Sequence, residues 1–470
     1  MATIVEKLVD FAAGLKYENL PEDVRQEAKR ILLDSIGCAL AAITVDKGRM
    51  VVRVAREMGG APEANVIGTG DKVSTFAAAF ANGELINALD YDVVTSPPGH
   101  AVPYVLPPVL AIAEKRGVSG KDLICAIALA HEMSARFGKA MGDVREVKPG
   151  EKIAFPPVGG YTCTIFGGTL AAGMMQGLDR KRMAYAMGIA GHIAPAQAMS
   201  KWVRVLPSST DKYLLAGWMC QAALTSVLLA EQGYTGDVEV LEGEFGFYRY
   251  MGASKFTPDF LLDKLGEDWW LPRVTVYKPW PCCRIPQTVM DCLAHIIEAN
   301  KIQPEEIEKV NAFCDPHGAV MPMWKNTKLT SSLDAQMSTP FALSLVAHGV
   351  KVGPEWQDDD TIRDEKLVRF MDKVTVEPHP DFEKVIKGEP ASRIGKIEVI
   401  ARGKTFSEER KYRKGSPATK ETRMSDREII EKFKHNAARI LPVEAIETLP
   451  DRIMRLEKTD DVSELARLWS

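Results

Sequence analysis

The residues with the clearest chemical potential lie in the run NGELINALDYDVVTSPPGHAVP, residues 82–103. Asp90 and Asp92 end a helical pattern here, and a loop rich in proline and glycine then carries His100. A carboxylate at a helix end beside a loop histidine can form an acid–base pair that works near neutral pH. Alternatively, both aspartates face water and His100 caps a helix. The residues alone leave both interpretations open.

Positive charge is concentrated in a second segment, KWVRVLPSSTDKYLLAG, residues 201–217. Ser208–Asp211 resembles the start of a helix, and a helix N-terminus beside cations favours carboxylate binding. Lys212 precedes an apolar run, so we expect it to be partly buried. The alternative for Lys201 and Arg204 is a solvated loop, where most lysines and arginines are found.

A third segment, KPWPCCRIPQ at 278–287, leads from a predicted strand into a predicted helix. This turn would present Lys278, Cys282, Cys283 and Arg284 together. Adjacent thiols invite a metal interpretation, but no further ligands follow at a familiar spacing, so structural thiols are favoured. HxxxH, HxE and GxSxG patterns are absent from the sequence, and so is GxGxxG in a strand–turn–helix setting. We therefore predict no metal and no cofactor.

The fourth segment, EKIAFPPVGGYTCTIFGG at 151–168, places Gly159 and Gly160 just before a helix that begins near Tyr161. It matches neither a P-loop nor a dinucleotide fingerprint. A tight turn with close helix packing is favoured over an anion cradle.

Composition excludes several classes of function. A net charge of −4 does not indicate the basic surface that is typical of proteins that bind nucleic acid. No run of 18 uninterrupted apolar residues predicts a membrane span, and residues 1–15 form an amphipathic helix rather than a signal peptide. The eight cysteines contain no CxxC pair, which is typical of reduced thiols. We therefore expect a cytoplasmic protein that binds neither nucleic acid nor membrane.

The elements that must position these residues are mostly helical. Helical spacing covers residues 21–42, 74–89, 103–116, 120–138, 161–177, 180–192 and 210–233. From about residue 268, strand patterns appear at 273–278, 308–314, 373–377, 396–401 and 405–411, with helices at 285–299, 333–348 and 359–371. Helices resume at 426–440 and 460–468. The sequence predicts a mainly α fold: a large all-helical domain built from both chain ends (1–268 and 413–470) and an inserted α+β lid domain (269–412) with an antiparallel sheet.

Six segments in fixed order resemble the MmgE/PrpD family. They are LLDSIGCALA (32–41), NGELINALDYD with GHAVPYVLPPVLAIAE (82–92 and 99–114), GGTLAAGMMQGLD (167–179), SSTDKYLLAGW with LLAEQGYTG (208–218 and 228–236), KPWPCCR (278–284) and DAQMSTPFALSLVAHG (334–349). The resemblance implies a helical domain and an α+β lid with the active site between them, in a homodimer.

The resemblance also implies catalytic roles for four residues. Asp90 matches the first aspartate of a D-F-D-D-T-like segment, and His100 matches the histidine of the following loop. Lys212 matches the lysine that leads a K-x-L-x-A-G helix, and Lys278 matches the lysine of a K-x-x-P turn.

This chain departs from the family pattern at several positions. Val94 stands where a threonine is typical, and Val158 lies near a position that often carries a histidine. Cys283 and Gln287 fall where another histidine is common. We expect Tyr161, Arg284, Arg204 and Cys283 to contact substrate in the space that these changes leave.

The resemblance implies a cofactor-independent lyase that dehydrates or decarboxylates a small di- or tricarboxylic acid of the 2-methylcitrate or aconitate kind. Fixed lysines and arginines would neutralise the charge that develops when a proton leaves the carbon beside a carboxylate. One alternative is an isomerase or epimerase that moves the same proton without a leaving group. Another is a non-catalytic homologue.

Overall fold

The computed structural model describes residues 2–141, 160–212, 214–253, 255–389 and 392–470. The fold is mainly α with small sheets, in agreement with the predicted class. The first part of the chain contributes helices α1 (Ile4–Gly14), α2 (Glu22–Ala42), α3 (Asp46–Met58), α4 (Thr75–Asn87), α5 (Val102–Arg116), α6 (Gly120–Ala140), α7 (Ile165–Gln176), α8 (Arg180–Ile193), α9 (Met199–Trp202), α10 (Leu214–Glu231), α11 (Phe247–Tyr250), α12 (Asp259–Leu262) and α13 (Leu271–Val274).

Several of these helices begin at side chains that cap their free backbone amides. Thr3 forms a capping box with Glu6, and Ser74, Ser119 and Asp179 accept hydrogen bonds at the starts of α4, α6 and α8. Such signals are local, and the long helices predicted in this part of the chain agree with the observed spans to within a few residues.

Small residues let the central helices approach closely. A Cβ on Gly167 of α7 would lie 2.5 Å from the carbonyl oxygen of Ala130 in α6. The chain end returns to this body as α21 (Asp426–Ala437), α22 (Val443–Met454) and α23 (Val462–Ala466). Phe433 of α21 packs against Gly37 of α2. One hydrophobic cluster therefore includes residues from Val5 through to Trp469.

Short strands interrupt the part that was expected to be all helix. β1 (Ala64–Asn65) pairs with β2 (Lys72–Val73), and β3 (Val94–Thr95) pairs with both β4 (Gly99–His100) and β5 (Thr275–Val276). The expected strand at 273–278 is thus wrong in length, because the preceding residues form α13 and only two residues pair. The β3–β4–β5 sheet positions the candidate site.

The α+β part contains a four-stranded sheet in the order β7 (Val374–Pro378), β6 (Ile307–Cys314), β8 (Gly395–Ala401) and β9 (Lys404–Arg410). Its helices are α14 (Gln287–Asn300), α15 (Pro316–Val320), α16 (Ser332–Met337), α17 (Thr339–Ala347), α18 (Asp359–Ile362), α19 (Glu365–Phe370) and α20 (Phe382–Gly388).

The prediction of an antiparallel sheet is wrong for one pair of strands. β6 and β7 are parallel, while β6–β8 and β8–β9 are antiparallel. Helices α15 to α19 form the long crossover that a parallel pair requires. The β8–β9 hairpin turns at Arg402 and Gly403, which both adopt the left-handed backbone conformation of a tight hairpin turn.

Two predicted helices are split, and two longer helices, α3 and α22, were not predicted. The helix expected at 333–348 restarts at Ser338, whose side chain caps α17, and the helix expected at 359–371 restarts at Asp364, which caps α19. Helix α22 was not predicted, although its apolar positions have helical spacing.

A second hydrophobic cluster consists mainly of residues between Cys282 and Ala401 and is separate from the first. The domain boundaries at 268/269 and 412/413 stay predictions. All eight cysteines are free and buried. Among the described residues, α10 is long and apolar enough to cross a membrane by length and composition, and 61% of that stretch is buried. It packs against α4, α7 and α8, as a core helix does.

Candidate active site

The loop that follows α4 brings Asp90 into the interior. Asp90 adopts the left-handed backbone conformation with φ of 50°, which is uncommon outside glycine and reverses the chain tightly. Two glutamine amides of the α+β part hold this loop. Gln336 Nε2 donates to the Ala88 carbonyl over 2.8 Å, and Gln357 Nε2 donates to the Leu89 carbonyl over 2.9 Å. Asp90 is 1% exposed, so the interpretation in which it faces water is wrong.

His100 lies on β4, directly across from Val94 of β3, and Val94 also pairs with Val276 of β5. The turn between β3 and β4 ends at Gly99, whose φ of 129° favours glycine. Helix α6 supports the turn, because Gly138 lets it approach Pro98 so closely that a Cβ would lie 2.8 Å from the Pro98 nitrogen. The hairpin thus fixes the direction of the imidazole ring.

The imidazole of His100 lies between two carboxylates. Its Nδ1 is 2.7 Å from Asp92 Oδ2, and its Nε2 is 3.3 Å from Asp90 Oδ1. Asn87 Nδ2 donates to the other oxygen of Asp92 over 2.8 Å. Asp92 is fully buried, and burial alone would raise its pKa. The neighbouring His100, its hydrogen bond and Lys278 outweigh burial, so the pKa of Asp92 lies below its usual value.

Lys278 provides a buried cation at the site. It lies two residues after the end of β5, and its side chain is fully buried. Its ammonium donates to the Asp90 carbonyl over 2.6 Å and also contacts the Asp90 carboxylate. A buried lysine is costly unless a carboxylate lies against it, so Asp90 and Lys278 hold each other in place.

Tyr161 and Arg284 complete the surroundings of His100. The Tyr161 ring meets the His100 ring edge to face, with centroids 5.8 Å apart, and lies 5.7 Å from the Tyr104 ring. A Cβ on Gly99 would be 2.7 Å from Tyr161 Cε1 and 2.8 Å from Arg284 Nη1. Both side chains therefore lie against the turn that carries His100.

The other expected site residues lie elsewhere. Arg204 is exposed after α9. The buried Cys283 thiol accepts from Trp324 Nε1 over 3.2 Å. Gln287 is fully buried and donates to the Trp280 and Cys282 carbonyls over 3.1 and 3.2 Å, so its amide stabilises the turn after Lys278. The side chain of Lys212 and the whole of Val158 lie outside the described residues.

An outer ion pair supports the Asp90 loop. Lys432 of α21 donates to the Tyr91 carbonyl over 2.8 Å, forms a 2.7 Å ion pair with Asp34 of α2, and lies 3.7 Å from the centroid of the Tyr91 ring. Burial raises the pKa of Asp34, and Lys432 opposes that rise. Tyr91, which lies between the two candidate aspartates, is thereby held by Lys432 of α21, and Lys432 is itself paired with α2.

Asp90, Asp92 and His100 offer ligand atoms within 4.8 Å of one another, a spacing that a metal ion could use. Here, however, Asp90 is neutralised by Lys278, and Asp92 is engaged by Asn87 and His100. The lysine already supplies the positive charge that a metal would bring. The arrangement suits proton transfer beside an anion: an imidazole held by one carboxylate, with a second carboxylate and an ammonium next to its other nitrogen.

Sequence reasoning gave Asp92 no role and missed Asn87, Gln336 and Gln357. The signal for Asn87 was available, since it precedes the aspartates on the last turn of α4. The two glutamines could not be found, because they come from about 250 residues later in the chain.

Sequence models of the MmgE/PrpD N-terminal domain and of the MmgE/PrpD C-terminal domain match residues 6–259 and 280–454. The chain belongs to the MmgE/PrpD family. Among its relatives is a cis-aconitate decarboxylase of Aspergillus terreus, 24% identical over 99% of this chain and 95% of that protein. The human cis-aconitate decarboxylase is 24% identical over 100% of this chain and 95% of its own length. The cis-aconitate decarboxylase-like protein oryM of Aspergillus oryzae is 23% identical over 99% and 97%.

Proposed function

We propose that this MmgE/PrpD family member is a cofactor-independent lyase that acts by proton transfer on a small di- or tricarboxylic acid. The observation that carries the proposal is the buried set of Asp92, His100, Asp90 and Lys278, in which one imidazole contacts two carboxylates and one of these contacts an ammonium. Relatives named cis-aconitate decarboxylase, matched over almost their full length, support the lyase class.

His100 is the group that moves the proton in this proposal. Asp92 accepts the hydrogen bond from Nδ1, which leaves Nε2 as the atom that faces substrate and Asp90. Because the pKa of Asp92 is lowered, its carboxylate stays ionised and favours a protonated imidazole whenever the ring takes up a proton.

Lys278 and Arg284 supply positive charge for the substrate carboxylates. When a proton leaves the carbon beside a carboxylate, its electron pair moves onto the carboxylate oxygens, and a fixed ammonium stabilises the resulting charge. In dehydration the electron pair returns to expel hydroxide, which leaves as water once protonated. In decarboxylation carbon dioxide departs and its bonding pair stays on carbon, where an imidazolium that has already taken up a proton from solvent donates it.

A second candidate is an isomerase or epimerase that moves an α-proton without a leaving group. The hydrogen bonds in the turn after Lys278 favour this second reaction. Gln287 donates within that turn, and the Cys283 thiol accepts from Trp324, so these two positions offer no extra acid for a departing hydroxide.

The test is incubation with a panel of di- and tricarboxylic acids in heavy water, followed by NMR and mass spectrometry. Loss of water or of carbon dioxide from one acid supports the lyase, while deuterium at an α-carbon with an unchanged skeleton supports the isomerase. His100→Ala should abolish either reaction. His192→Ala is the matched control, because His192 is exposed on α8. Turnover that persists in His100→Ala would contradict both.

A further inference from the structure

Three arginines converge behind the turn that carries His100. A narrow recess is lined by Arg284, Arg393 and Arg413 together with Thr288 and Asp315. A larger cavity of about 180 Å³ shares Arg393 and Arg413 with it and reaches Ser96 and Ser416. Ser96 belongs to the β3–β4 turn, and Arg284 Nη1 lies close to Gly99 at the other end of that turn. The arginines therefore lie directly beside the catalytic hairpin.

Arg413 is the most unusual member of this group. Its side chain is 5% exposed, and its Nε is a buried donor without a hydrogen-bond partner. The nearby carboxylates have other partners: Asp291 accepts from Trp280 Nε1 over 2.9 Å and from the Lys414 amide over 2.7 Å, and Glu389 binds Lys411 and Tyr412. Asp315, which also lines the recess, accepts from the His317 amide over 3.0 Å.

Burying a guanidinium without an anion carries a large desolvation cost. Burial, followed by the positive charges of Arg393 and Arg284, lowers the pKa of Arg413 to about 9. An anion between these three side chains would offset both the desolvation cost of Arg413 and the repulsion among the three guanidinium groups. Arginine is also the side chain best suited to bind a carboxylate through two parallel hydrogen bonds.

We propose that Arg413, with Arg393 and Arg284, forms a carboxylate subsite that takes one carboxylate of the substrate, remote from the bond that reacts at His100. This inference rests on the proposed function for the identity of the ligand. The subsite makes a tricarboxylate a better ligand than a dicarboxylate of the same length, because the additional carboxylate meets a prepared positive charge.

The probes are propane-1,2,3-tricarboxylate and glutarate, which share a five-carbon backbone from one terminal carboxylate to the other and differ by one carboxylate. Their dissociation constants are measured by isothermal titration calorimetry with the full-length chain. The wild type should prefer the tricarboxylate by at least about tenfold, the range for a hydrogen bond to a charged group. In Arg413→Gln this ratio should fall close to one. Arg427→Gln removes an exposed arginine of α21, and in this control variant the ratio should stay as in the wild type.

An unchanged ratio in Arg413→Gln overturns the subsite. Because Arg413 is buried, folding of the variant is checked by its melting temperature. Should Arg413→Gln not fold, a variant of the half-buried Arg393, Arg393→Gln, must show the same fall in the ratio, and an unchanged ratio there overturns the subsite equally.

The two proposals fail in distinguishable ways. Turnover of a polycarboxylate by the wild type, with an unchanged ratio in the arginine variants, would reject the subsite and leave the lyase. A fall in the ratio without turnover of any acid would reject the lyase and leave a carboxylate site.

Discussion

The carboxylate of Asp92 lies 2.7 Å from Nδ1 of His100, and both side chains are buried. This contact assigns the two neighbouring aspartates different positions. Asp92 holds the ring from behind, whereas Asp90 lies at the opposite nitrogen together with Lys278. Asp92 is therefore the carboxylate placed to orient His100, since it makes the shorter contact with the ring.

Asp92→Asn tests this division. The amide can turn its NH₂ group toward Nδ1 and so favour the wrong imidazole tautomer, and it cannot stabilise an imidazolium. We expect kcat to fall by about 10²–10⁴-fold, the usual range for impaired general acid–base catalysis, with little change in KM. Steady-state kinetics on the acid identified by the substrate panel provides the measurement. A kcat within a factor of about two of the wild type would reject a positioning role for Asp92.

Lys278→Met tests the buried ion pair. It leaves the Asp90 carboxylate without its cation, so we expect the free energy of unfolding to drop by about 3–5 kcal/mol. The double variant Asp90→Asn/Lys278→Met removes the uncompensated charge and should recover much of this loss without recovering activity. Urea unfolding of the two single variants and the double variant measures the coupling. Additive losses would show that the two side chains do not stabilise each other.

Gly99→Ala tests the turn that presents His100. The backbone φ of 129° is unfavourable for alanine, and the new methyl would meet Tyr161 and Arg284. We expect a loss of about 1–3 kcal/mol in stability and a larger proportional loss of kcat, because the ring must shift. Gly388→Ala is the control, since a Cβ there meets nothing within 4 Å. Equal effects of the two substitutions on kcat would contradict a positioning role for the turn.

The elements that sequence predicted best are those specified by local signals. Helix α4 begins at Ser74, which caps it, and the β8–β9 turn is specified by Arg402 and Gly403. The parallel pairing of β6 with β7 depends on residues more than 60 positions apart, and no local pattern encodes it. The same distinction between local and long-range signals applies to the residues of the site.

Asp90, His100 and Lys278 could be selected because their residue types and neighbours matched a known pattern. Arg413 could not, because it stands in the polar run RKYRKG, which is typical of a solvated surface. Its burial depends on tertiary packing at the recess that it shares with Arg284 and Arg393, and Arg284 comes from a distant part of the chain. Burial, not residue type, distinguishes Arg413 from the arginines that merely face water.

Glu114 gives a pH-dependent prediction outside the site. It accepts two hydrogen bonds from Asn65, and burial raises its pKa to about 7. A raised pKa of an acid means that its contribution to stability is complete below about pH 4.5 and is lost as pH rises through about 7. Glu114→Gln cannot ionise, so we expect it to be more stable than the wild type by about 2 kcal/mol at pH 8 and about equal at pH 4.5.

Urea unfolding at the two pH values measures this difference. Glu444→Gln, at an exposed position at the start of α22, should change stability little at either pH. A Glu114→Gln variant that is less stable than the wild type at pH 8 would contradict the prediction.

The proposal of a homodimer can be tested at one exposed apolar surface. Met50, Val54 and Met58 lie four residues apart on α3, and Leu214 and Trp218 lie four apart on α10; all five are exposed. Gln221 of α10 lies 3.6 Å from the sulfur of Met58, so the two rows share one face. Contiguous exposed apolar side chains of this kind mark association surfaces.

We expect Val54→Glu/Trp218→Glu to run as a monomer by light scattering after gel filtration, while the wild type runs at twice that mass, because two charges would be desolvated at the interface. Val443→Glu, also exposed and apolar but on α22, should stay dimeric. A wild type that is monomeric at micromolar concentration would reject the homodimer. A double variant that remains dimeric would place the interface on another face of the molecule.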